Sequence, residues 1–174
     1  SKKKANQFAN KIFNVLLIFL ILTVLLVEVF MPGFIFLLAP GFTENYEKLE
    51  TTILLTRITF PFLLFVSLSS FFSAILNSHN KFAVAAATPI ILNIFLILVL
   101  FFGKYLNDEL VFYLSYAVSF AGIVQTIFLI LFVKKFYKPE LNFNFKNDKK
   151  VKFFFKKLLP SIFSSGVTQI NILI

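Results

Sequence analysis

Five apolar runs, each long enough to cross a bilayer as a helix, leave this chain few ways to fold. A hydrocarbon core of about 30 Å takes about 20 helical residues. Residues 12–39, 51–77, 82–103, 110–133 and 153–174 each reach that length. In lipid the backbone must satisfy its own hydrogen bonds, so such runs form helices. A β-barrel would need alternating strands of about 10 residues, which runs this continuous do not supply. The expected fold is therefore all-α: a polytopic transmembrane bundle of about five helices, with 1–174 as one membrane domain. Glu28 and Pro32-Gly33 interrupt the first run, and 134–152 forms a basic loop before the fifth.

Composition closes the other routes. The chain is 59% hydrophobic and 14% charged over 174 residues, and one core of this size cannot bury that much apolar surface. That excludes a soluble enzyme and a disordered chain. With no Cys and a single His, disulfide scaffolds and Cys-based zinc or iron–sulfur centres are excluded too. The first apolar run is too long for the core of a signal peptide. The chain opens without Met and closes inside an apolar run, Gln169 to Ile174, so the sequence is expected to be a fragment of a longer polytopic protein.

The net charge of +9 would suggest nucleic acid in a soluble protein. Here its distribution sets orientation, because Lys and Arg collect on the cytoplasmic side. Lys2, Lys3, Lys4, Lys11, Lys81 and the nine lysines from 134 to 157, less Glu140 and Asp148, give one side +12. Glu44, Glu47, Lys48, Glu50, Lys104, Asp108 and Glu109 give the other −3. The N-terminus and the basic loops are expected in the cytoplasm, with no nucleic-acid partner. Within 134–152, Leu141 to Phe145 alternates and Lys146, Lys149, Lys150 and Lys152 follow. That pattern fits either a solvated loop or a segment lying on anionic headgroups.

The polar minority inside the spans is where function would reside. At 100° per residue Thr52, Thr59, Ser70, Ser73 and Asn77 share a face of the second run. Ala86, Pro89 and Asn93 do so on the third, and Ser115, Ser119, Gly122 and Thr126 follow 4-3-4 spacing on the fourth. On the fifth, Ser161, Ser164, Ser165, Thr168 and Asn171 line one side. Small residues at this spacing pack helices together, or they line a polar path. Asn93, Gln125, Gln169 and Asn171 are larger than spacers need to be. The candidates for a substrate path are Arg57, Asn77, Asn93, Ser115, Ser119, Gln125, Ser165, Thr168, Gln169 and Asn171. Pro61, Pro89 and Pro160 each remove a backbone donor and bend a helix, making them candidate hinges. Glu28 lies about 24 Å along the helix from Ile12, and Arg57 about 9 Å from Thr51 on the way back, at 1.5 Å per residue. Their similar depth makes an interhelical pair a candidate; snorkelling to the interface is the other reading.

His79 stands alone in a turn. The sequence offers no metal-ligand cluster, no Gly-rich phosphate loop and no nucleophile–base pair, so no metal, cofactor or catalytic residue is expected.

The stretch Ala74-Ile-Leu-Asn-Ser-His-Asn-Lys-Phe-Ala-Val-Ala-Ala-Ala-Thr-Pro-Ile-Ile-Leu-Asn93 resembles the MurJ/MviN lipid II flippase family. That family typically reads G-x-L-N-[AS]-x-x-[RK]-F-A-x-P-A-x-x-P-x-x-x-N here. Leu38-Ala39-Pro40-Gly41-Phe42 resembles its L-A-P-G-F loop, and Leu55-Thr56-Arg57-Ile58-Thr59-Phe60-Pro61 its L-T-R-I-x-F-P helix. Leu159-Pro160 and Ser165 to Asn171 resemble the start of its seventh helix. The likeness covers nearly the whole chain in order. Ala74 and Asn80 stand where the family commonly has Gly, and Ala85 where it has Pro. The resemblance implies the third to seventh helix of a transporter with about fourteen, in the multidrug/oligosaccharidyl-lipid/polysaccharide exporter superfamily. It implies a bacterial inner-membrane protein, not an enzyme, that moves lipid-linked peptidoglycan precursor across the bilayer by alternating access. Other peptidoglycan-synthesis membrane proteins would be its partners. Related polysaccharide-lipid flippases and multidrug exporters are the alternatives within transport. A structural or assembly membrane protein, or a polyprenyl-phosphate enzyme, is the alternative of a different class. Of the family's cavity arginines only Arg57 carries over, since most lie on helices outside this stretch.

Overall fold

The computed structural model describes residues 2–103, 109–142 and 149–173. Every regular element among them is helical. The order is α1 (Lys2–Val29), α2 (Met31–Leu38), a 3-10 turn (Pro40–Glu44), α3 (Tyr46–Thr59), α4 (Phe62–Ser78), α5 (Phe82–Ala86), α6 (Thr88–Phe102), α7 (Leu110–Val133) and α8 (Lys149–Leu173).

Four of the expected spans are long and apolar enough to cross a membrane: Lys3–Val29, Tyr46–Ser78, Phe82–Phe102 and Leu110–Val133. The chain is thus a polytopic helical membrane protein. The fifth expected span is helical as α8 but is not among these four. Lys149, Lys150, Lys152, Lys156 and Lys157 crowd its first turns, and its side chains from Ser165 onward lie outside the described residues. Asn144 to Asp148 of the alternating loop segment lie outside them as well, as does Phe143.

Most helix breaks fall beside prolines. Pro32 sits in the first turn of α2, where a missing N–H costs nothing. Pro61 separates α3 from α4. Around it Leu63 N–H donates to the Phe60 carbonyl (3.0 Å) and Leu64 N–H to the Pro61 carbonyl (3.1 Å), so one turn tightens into 3-10 geometry. Pro89 lies in the first turn of α6, after a break at Ala87. Pro160 alone stays within its helix. The first span also starts earlier than its apolar run, because helix continues through Lys2 to Lys11. Asn45 caps α3, its Oδ1 accepting from Lys48 N–H at 3.0 Å.

The turn after α4 uses Asn80 at φ 58°, a left-handed position where Asn is the best substitute for Gly. Lys81 N–H donates to the Leu76 carbonyl (2.9 Å) and Asn80 N–H to the Asn77 carbonyl (3.0 Å). This is the paired bonding of a Schellman cap. The family's commoner Gly at this position thus has a conformational cause.

The residues fall into two compact units, 1–16 with 139–174, and 17–138. In the larger unit α7 packs against α3, α4 and α6. Its core is Leu68, Phe72, Leu76, Ala121, Leu129 and Val133. A second cluster joins Val27, Met31 and Ile35 to Phe34, Leu49, Ile53 and Phe60. Large apolar side chains stand exposed along α1 (Phe19, Leu22, Leu25, Leu26) and α6 (Ile90, Ile97, Phe101), as expected of surfaces that meet lipid or further helices.

In the smaller unit two asparagines one turn apart on α1 hold the stretch after Pro139. Asn14, 1% exposed, donates to the Asn10 carbonyl (2.7 Å) and the Glu140 carbonyl (2.9 Å), and accepts from Asn142 N–H (3.2 Å). Asn10 accepts from Glu140 N–H (3.2 Å) and donates to Glu140 Oε2 (3.3 Å). Phe8 meets Phe154 edge to face, 6.1 Å between ring centres.

Candidate functional site

Much of the polar stripe on α7 is spent on packing. A Cβ on Gly122 would come within 2.7 Å of the Phe62 ring and 3.0 Å of Phe65 Cβ, so only Gly permits this approach of α7 to α4. One turn earlier Ser119 Oγ donates to the Ile58 carbonyl. That carbonyl lies just before the Pro61 break, where the helical ladder is interrupted and a hydroxyl from a neighbour can restore a partner. One turn later Thr126 Oγ1 lies 2.9 Å from the Gly122 carbonyl and 3.1 Å from the Phe65 carbonyl, and shares a bond with Ser69 Oγ at 3.2 Å. Ser115 is buried and bonds back to the Val111 carbonyl at 2.9 Å.

Beside this seam a cleft of about 500 Å³ opens between α4, α6 and α7. Its polar lining is Ser69, Ser70, Ser73, Asn77, Thr88 and Gln125, on a ground of Phe62, Val66, Pro89 and Leu92. Ser70 Oγ is tied to the Val66 carbonyl at 2.9 Å, and Thr88 Oγ1 to the Ala85 carbonyl at 3.0 Å. Gln125 differs. It is 3% exposed, lines the cleft, and makes no hydrogen bond to the described residues. Its amide is not fully shielded; it keeps an opening to the cleft, where water can meet its donors and acceptor.

The sequence-predicted residues are divided by this geometry. Asn77, Gln125 and Pro89 come together in the cleft. Ser119 serves the seam and borders a separate, apolar groove with Phe95, Tyr113 and Tyr116. Arg57 is exposed on α3, and Asn93 is exposed on α6 without lining the cleft. Glu28 is half-buried, with Oε1 shielded and lacking a hydrogen-bond partner. Ser165, Thr168, Gln169 and Asn171 fall where side chains lie outside the described residues. Sequence reasoning passed over Ser69 and Thr88 in the cleft, and Asn14 in the smaller unit. The available signal was an amide or hydroxyl inside an otherwise apolar run, as at Ile12-Phe13-Asn14-Val15.

The stretch from Ala74 to Asn93 is the one that carried the family likeness. It folds as the end of α4, the Asn80 cap, α5 and the start of α6, and gives the cleft Ala74, Asn77, Thr88, Pro89 and Leu92. A family model described as "Lipid II flippase MurJ" matches residues 1–174. The chain belongs to the MurJ lipid II flippase family. It is 42% identical over 178 residues to a probable lipid II flippase MurJ of Rickettsia prowazekii, across 100% of this chain and 34% of the relative. Similar proteins with the same description come from Buchnera aphidicola subsp. Acyrthosiphon pisum (34% identical; 100% and 34% covered) and Rhizobium tropici (33% identical; 98% and 33% covered). The chain spans about a third of the length of these relatives. The family is one of membrane transporters.

Proposed function

We propose that the chain works within a protein of its relatives' length as part of a lipid II flippase of the bacterial inner membrane. That protein moves lipid-linked peptidoglycan precursor from the cytoplasmic to the periplasmic leaflet. Family membership supports the activity. The observation that carries it to residues is the cleft itself: the family-like stretch 74–93 builds a polar hollow in an otherwise apolar bundle. A polar headgroup crossing a low-dielectric slab needs such a lining, while its polyprenyl tail stays in lipid.

The positive-inside distribution puts the N-terminus, the Asn80 turn and the basic loop in the cytoplasm. The cleft then opens toward that side, because Asn77 and Thr88 flank the turn and Gln125 lies about 12 Å from the Val133 end of α7 at 1.5 Å per residue. Asn77 and Gln125 are the path residues the geometry favours. Arg57, Asn93, Ser115, Ser119, Ser165, Thr168, Gln169 and Asn171 remain assigned to the path by sequence pattern alone. Pro61 and Pro89, at breaks between helical segments, and Pro160 inside α8 are the proposed bending points for alternating access. Glu28 and Arg57 are proposed to pair on the opposite side, on the ground of their similar depth at about 1.5 Å per residue.

The test is complementation. The relative-length protein containing this chain should restore growth to cells depleted of their own lipid II flippase. Failure at normal membrane insertion overturns the function. Exchange of charge, Glu28→Arg with Arg57→Glu, should recover what each single change loses; no recovery overturns the pair.

A further inference from the structure

The geometry points to the α4–α6–α7 cleft as the seat of the uncharged, sugar-like portion of the cargo headgroup, with Gln125 as the side chain that contacts it. The inference rests on the flippase reading above. Three observations carry it. Gln125 is almost wholly buried, lines the cleft and has no hydrogen-bond partner among the described residues. Its carboxamide offers two donors and an acceptor and is not fully shielded, so these face the cleft free for a ligand. Next, the lining holds hydroxyls and amides but no Asp, Glu, Lys, Arg or His. A diphosphate placed there would be desolvated with no cation to offset the loss. A pyranose bearing hydroxyl and acylamino groups matches Gln125, Asn77, Ser73 and Ser70, and its C–H faces match Phe62, Pro89 and Leu92. Finally, about 500 Å³ falls within the range of small-ligand sites. The charged part of the headgroup is thereby assigned to residues outside this cleft.

The test uses the relative-length protein in lipid vesicles, with native cysteines elsewhere replaced. This chain has none, so Ser73→Cys places a single reporter in the cleft, and Asn77→Cys serves if the first variant does not fold. The probe is a small water-soluble thiol reagent. It is applied alone, with glycan-bearing polyprenyl diphosphate, with polyprenyl diphosphate lacking sugar, or with free disaccharide. The reporter should be labelled in the absence of ligand and slowed several-fold by the glycan-bearing lipid only. Protection by free disaccharide alone, at higher concentration, supports the same sugar chemistry without the lipid. Gln125→Leu should raise the half-protecting concentration about five- to tenfold, the effect of one lost hydrogen bond. The inference fails if the reporter resists labelling without ligand, since a packed helix then fills the cleft. It also fails if the sugarless lipid protects equally, or if Gln125→Leu changes nothing. Transport is measured on the same vesicles. Transport without protection removes the cleft assignment and leaves the flippase; protection without transport does the reverse.

Discussion

Asn14 and Gln125 are the two carboxamides buried among the described residues, 1% and 3% exposed, and they are used in opposite ways. Asn14 in the smaller unit is fully engaged: both donors and its acceptor are bonded to backbone. Gln125 in the larger unit is bonded to nothing described. The residue type is nearly the same, and so is the degree of burial. What differs is whether the fold supplies partners. A saturated amide fixes one arrangement of its neighbours. An amide that opens into a hollow keeps its binding capacity for water or for a ligand.

The largest effect that would sharpen the contrast concerns the wall behind Gln125. Gly122→Leu forces a side chain into space already held by Phe62 and Phe65. It should cost about 1–3 kcal/mol, at the upper end because Phe65 Cβ cannot swing away. Thermal unfolding of the lipid-reconstituted protein measures it. If the variant is as stable as the parent, the seam is loose, and Gln125 could find partners by a small shift of α7. The difference from Asn14 would then disappear.

Asn14→Leu tests the other side. It removes the donor to the Glu140 carbonyl, which is only partly shielded from solvent. A loss of about 1–2 kcal/mol is expected from that stranded acceptor and the other bonds of Asn14 that are lost with it. Proteolysis near residues 139–142 should quicken with it. Unchanged protection of that stretch would mean that the hydrogen bonds of Asn14 are ornamental, and that Asn10 and Phe8 hold the unit together.

How much of this was legible beforehand depends on the range over which each feature acts. The helices and most of their breaks are local. Apolar length gives the spans, and Pro32, Pro61 and Pro89 mark ends within a few residues of where they occur. The 4-3-4 spacing of Ser115, Ser119, Gly122 and Thr126 gives one face of α7. Which partner that face meets is set by the rotation of α3 and α4, which spacing does not encode. Glu28 and Arg57 show the same gap. A ruler of 1.5 Å per residue gives their depth but not their azimuth, and Arg57 turns out exposed with Glu28 Oε1 shielded and unbonded. The bond from Asn14 to Glu140 joins residues 126 apart in sequence, and no local pattern announces it. Gln125 stood out in the sequence because it was too large for a spacer. Its lack of a partner is a property of everything packed around it.

A smaller change separates bonding in the seam from bonding in the cleft. Ser119→Ala removes the donor to the Ile58 carbonyl while leaving α7 shaped as before. Hydrogen bonds between membrane helices average about 0.6 kcal/mol, so the loss in unfolding free energy should be of that size. Labelling of the Ser73→Cys reporter should stay the same. A change in labelling would mean that the seam and the cleft move together.

The smallest expected effect on stability is the most telling. Gln125→Leu keeps the volume of the side chain nearly the same and discards an amide that bonds to nothing described. Replacing an amide that makes no bond within the protein by an apolar side chain of similar size is neutral or slightly stabilising. The unfolding midpoint should therefore hold or rise, by the equivalent of less than about 0.5 kcal/mol. The same variant should transport cargo less well. Gain in stability with loss of function is the pattern of a residue kept for its ligand. A clear loss of stability would instead show that Gln125 has a structural partner in the longer protein, on a helix that this chain does not contain. Gln125 would then be a second Asn14, and the cleft a packing surface.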